Sequence, residues 1–71
     1  MSDLRDRYLD VLFERIHEDQ YPSGELMDRA EAAITTREQL ETYVALLIEK
    51  ADETCYPSKQ MLDRINRLAP A

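Results

Sequence analysis

The sequence predicts an all-α fold, a four-helix arrangement built from two tandem helix-turn-helix repeats with pseudo-twofold symmetry. Two observations predict it. Apolar residues recur with the period of a helix, and the stretch YPSGELMDR returns as YPSKQMLDR 35 residues later. A fixed repeat in this range is typical of a supersecondary unit used more than once. The 71 residues allow one small domain, 1–71, with repeat 1 at about 3–34 and repeat 2 at about 38–69.

The repeat extends well beyond the YPS phrase. At an offset of 35 and without a gap, Tyr8 aligns with Tyr43 and Leu12 with Leu47. Chemically similar residues occupy many of the positions between these identities. We therefore interpret the two halves of the chain as copies of one helical hairpin.

Each repeat begins with a long helix that has a wide apolar face. In the first helix this face comprises Leu4, Tyr8, Val11, Leu12 and Ile16, widened by Leu9 and Phe13. In the second it comprises Leu40, Tyr43, Val44, Leu46, Leu47, Ile48 and Ala51. The first face covers an arc of about 200° at the helical period. Because a wide arc contacts neighbours on two sides, we expect the two long helices at the centre.

The shorter helices that follow the YPS phrase have narrower apolar faces, of about 120° each. The first of these faces consists of Leu26, Met27, Ala30, Ala33 and Ile34. The second consists of Met61, Leu62, Ile65, Leu68 and Ala69. We expect each short helix to pack against the long helix of its own repeat.

The YPS phrase has a local structural role in this interpretation. Proline disfavours helical conformation in the residue before it, so the long helices are expected to end near Glu18 and Glu53. Ser23 and Ser58 then suit the N-cap position, where a hydroxyl accepts from an orphan backbone N–H. The repeated phrase is therefore interpreted as architecture.

The join between the repeats, ITTREQLE, contains two alternative capping boxes, Thr35 with Glu38 or Thr36 with Gln39. The chain has one glycine and no serine-rich run, so nothing in it is typical of a flexible linker. Both repeats are therefore expected to belong to one compact body.

Charge and hydropathy exclude several classes of partner. The net charge of −6 argues against nucleic acid, since Lys and Arg contacts to phosphate dominate that affinity. It argues equally against an anionic membrane surface. The longest apolar run, YVALLI, is far shorter than the roughly 20 residues of a membrane span. Because the N-terminus is charged and lacks an apolar h-region, a cytoplasmic location is expected.

Residues suited to catalysis or metal binding are few. There is one histidine, His17, and one cysteine, Cys55, which cannot supply the ligands of a structural zinc site. No glycine-rich phosphate loop is present. We therefore expect no enzyme, no cofactor, no metal and no catalytic residue. An alternative function is a small-molecule or catalytic site between the two long helices, using His17, Cys55, Tyr8 or Tyr43.

The sequence favours a small non-enzymatic protein-interaction module, with a protein partner or a homodimer as its complex. Acidic residues recur every three or four positions along the first helix, whereas Ala45 interrupts the equivalent series in the second repeat. Such a series is more often a solvated helix face, eased here by Arg5, Arg7 and Arg15, and the functional alternative is an acidic ridge for a basic partner. A further alternative is an acidic inhibitor of a basic, nucleic-acid-binding protein. The candidate partner-binding residues are Leu9, Phe13, Leu46, Ile48, Asp6, Asp10 and Glu14.

The doubled Tyr-Pro-Ser phrase with its later Asp-Arg pair (Asp28–Arg29 and Asp63–Arg64) resembles small uncharacterised helical proteins of high-GC actinobacteria. The resemblance covers nearly the whole chain. It implies a duplicated YPS helical hairpin, and it implies no particular activity, cofactor or site residue.

Overall fold

A computed structural model describes residues 3–54 and 57–69 of the chain, and these residues form α-helices without a strand among them. The helices, in chain order, are α1 (Asp3–Glu18), α2 (Gly24–Ala33), α3 (Arg37–Glu53) and α4 (Lys59–Leu68). The prediction of an all-α fold with four helices is confirmed. In these two stretches no helix combines the length and the apolar character that crossing a membrane requires.

The chain divides into two compact units, the first ending at Ile34 and the second beginning at Thr35. Within the first unit α1 packs against α2, and within the second α3 packs against α4. The expectation that each short helix packs on its own long helix is therefore confirmed. The single domain over 1–71 stays a prediction.

The serines of the YPS phrases cap the two short helices. The Ser23 hydroxyl accepts from the backbone N–H of Leu26 at 3.1 Å, and the Ser58 hydroxyl accepts from that of Met61 at 3.0 Å. Both serines have the extended backbone that an N-cap requires. The N-cap predictions are confirmed, and α1 and α3 end at Glu18 and Glu53 as expected.

The start of α3 is fixed by a reciprocal pair of side chains. The Thr36 hydroxyl accepts from the Gln39 backbone N–H at 3.1 Å. In return, the Gln39 Oε1 atom accepts from the backbone N–H groups of Thr36 at 3.3 Å and Thr35 at 2.8 Å. Of the two boxes that the sequence allowed, the one formed is therefore Thr36 with Gln39.

The core of the first unit uses only part of the apolar arc of α1. Its buried side chains are Leu9, Leu12 and Ile16 from α1, with Met27, Ala30 and Ala33 from α2. Leu4, Tyr8 and Val11, which belong to the same apolar face in the sequence, are 74%, 41% and 52% exposed. Because the buried part of α2 includes two alanines, α2 presents a narrow surface and covers one stripe of α1.

The core of the second unit contains Tyr43, Val44 and Leu47 from α3 and Met61 from α4. The basic residues Lys50 and Arg64 are buried as well. Leu62, which the sequence pattern placed on the apolar face of α4, is 46% exposed. The buried face of α4 is therefore rotated from Leu62 toward Arg64.

Alanine substitutions at two leucines of α1, one buried and one exposed, test which face of this helix packs in the core. Leu9→Ala removes a buried side chain and is expected to lower the free energy of unfolding by about 2–4 kcal/mol. Leu4→Ala, in the same helix, alters an exposed side chain and is expected to change it by less than about 0.5 kcal/mol. Urea denaturation followed by circular dichroism measures both. Equal losses would contradict the assignment of the buried face.

The caps provide a second prediction. Ser23→Ala and Ser58→Ala are each expected to lower the free energy of unfolding by about 1 kcal/mol, since the Leu26 and Met61 N–H groups lose their acceptors. Ser23→Asp retains an acceptor and serves as the control in the same denaturation experiment. A loss of stability as large in the aspartate variant would show that capping is not the cause.

Candidate protein-interaction surface

The apolar residues predicted to bind a partner lie at different depths. Leu9 was expected on the surface, and this is wrong, because its side chain is only 2% exposed in the core against α2. Phe13 and Leu46 are half-buried, whereas Ile48 is half exposed. The misplacement of Leu9 follows from the arc of α1, since its apolar residues cover more of the helix than α2 conceals.

The acidic residues predicted to bind a partner are exposed along α1. Asp6, Asp10 and Glu14 all have exposed side chains. With Asp3 and Glu18 they form what we call the acidic ridge. At about 100° per residue all five lie at least 120° from Leu12, while Asp6 is about 60° from Leu9. Carboxylates at i, i+4 repel one another by a few tenths of a kcal/mol, so the ridge opposes helix formation slightly.

An exposed apolar surface beside the ridge was missed by the sequence prediction. It consists of Leu4, Tyr8 and Val11 of α1, spaced i, i+4 and i+7, and we call it the α1 stripe. The sequence pattern assigned these three residues to the apolar face of the first helix, and they were not named as partner-binding residues. The alanines of α2 could have indicated this exposure from the sequence, because a short helix with small side chains cannot cover an apolar arc of about 200°.

Polar groups of α2 border the α1 stripe at Tyr8. The Arg29 guanidinium pairs with the Glu25 carboxylate, four residues earlier, at an Nη2–Oε2 distance of 3.3 Å. The pKa of Arg29 is raised, first by this hydrogen bond to Glu25 and then by a hydrogen bond with the Tyr8 side chain. The stripe therefore lies between the polar edge of α2 and the acidic ridge.

Ion pairs on the second unit are local to each helix. Lys59 pairs with Asp63 at 2.9 Å, and the hydrogen bond to this carboxylate raises the pKa of Lys59. Arg37 pairs with Glu41 at 3.1 Å. Exposed i, i+4 pairs of this kind contribute only a few tenths of a kcal/mol each.

Residues of the alternative small-molecule or catalytic site lie in contrasting environments. His17 is exposed near the end of α1, Tyr8 is partly exposed, and Tyr43 is fully buried. Cys55 lies outside the described residues. Over residues 3–54 and 57–69, no group of three His, Cys, Asp or Glu side chains is placed to hold a metal ion.

Comparisons with family models, with curated proteins and with solved structures find no significant match to this chain. The resemblance to actinobacterial helical proteins stays a prediction.

Repulsion along the acidic ridge is measurable. Asp10→Asn is expected to raise the free energy of unfolding by about 0.2–0.3 kcal/mol at low salt, because two repulsions, from Asp6 and Glu14, exceed one attraction, to Arg7. Salt screens such exposed charges, so the gain should shrink as the ionic strength increases. Glu38→Gln is the control, since its negative charge favours the N-terminus of α3 and its loss should destabilise. A destabilised Asp10→Asn protein would mean that the ridge supports the fold.

Proposed function

We propose that this chain is a small non-enzymatic protein-interaction module that binds its partner through the α1 stripe and the adjacent acidic ridge. One observation carries the proposal: Leu4, Tyr8 and Val11 occupy consecutive turns of one helix face and are all substantially exposed. Single exposed apolar residues are ordinary on protein surfaces, whereas an aligned group marks an interaction site.

Tyr8 gives the stripe a composition that suits an interface. Tyrosine combines a large apolar ring with a hydroxyl, and it is enriched among the residues that dominate binding energy. Arg29, whose guanidinium interacts with the Tyr8 side chain, adds a residue type that is likewise enriched at interfaces. The stripe is thus an apolar centre with charged groups at its rim.

The proposal includes a tandem duplication with pseudo-twofold symmetry. Its support is that α2 and α4 have equal lengths and bounds displaced by 35 residues, the offset at which the sequence aligns with itself. Under this alignment Tyr8 corresponds to Tyr43, which is fully buried, and Val11 corresponds to Leu46, which is half-buried. The tyrosine of this helix face is therefore buried in the second unit and exposed in the first.

Site-specific photo-cross-linking in cells of the organism that makes the protein tests the proposed function. Tyr8→benzoylphenylalanine places a photoreactive ring of similar shape on the α1 stripe. Because this position would contact the partner, ultraviolet light is expected to yield a discrete protein adduct, detected by a shift in mass on a denaturing gel.

Tyr21 provides the matched control, since it is a more exposed tyrosine that lies outside the helices. Tyr21→benzoylphenylalanine is expected to yield several-fold less adduct. Leu4→benzoylphenylalanine places the photoreactive ring at a second position of the α1 stripe. It tests the same contact if the Tyr8 substitution itself weakens binding. Equal adduct from Tyr21, or none from either α1 position, would contradict the proposed function.

A further inference from the structure

We draw no further inference here: the strongest candidate, the exposed apolar stripe of Leu4, Tyr8 and Val11 on α1, belongs to the surface already proposed to bind a partner, and nothing in the structure shows what covers it.

Discussion

The packing of α2 on one side of α1 is the constraint on which the first unit depends. The buried part of α2 is Met27 with Ala30 and Ala33, and the two alanines provide little side-chain volume. A helix of this kind approaches closely and buries one stripe of its neighbour. The core of the first unit is therefore narrow, and the apolar residues of α1 that remain outside it become surface. The candidate interaction surface is thus a direct consequence of how small the α2 side chains are.

Local interactions explain why some features of the structure were predictable. The ends of α1 and α3 and the caps Ser23 and Ser58 depend on residues within a few positions, so the sequence reports them directly. The box at Thr36 was one of two alternatives with equal spacing. Gln39 Oε1 accepts from both Thr35 and Thr36, and this shared acceptor distinguishes the box that forms.

The burial of Leu9 and the exposure of Val11 were not predictable in the same way. Periodicity reports that α1 is apolar over about 200°, but which part of that arc is covered depends on another helix. The same reason applies to Leu62 in α4, where Arg64 lies in the buried position instead. The aliphatic part of an arginine side chain can pack like an apolar side chain, but a hydropathy pattern counts the whole residue as polar. Sequence therefore predicted the helices better than the faces.

The α1 stripe and the acidic ridge have opposite effects on an isolated chain. Exposed apolar groups favour association with any apolar surface, including another copy of the same protein. The ridge places negative charge next to them, and a net charge of −6 opposes close approach of two copies. The repulsion between Asp10 and its neighbours costs α1 a little stability. The same helix thus combines an exposed apolar surface, which favours association, with charge that opposes the approach of a second copy.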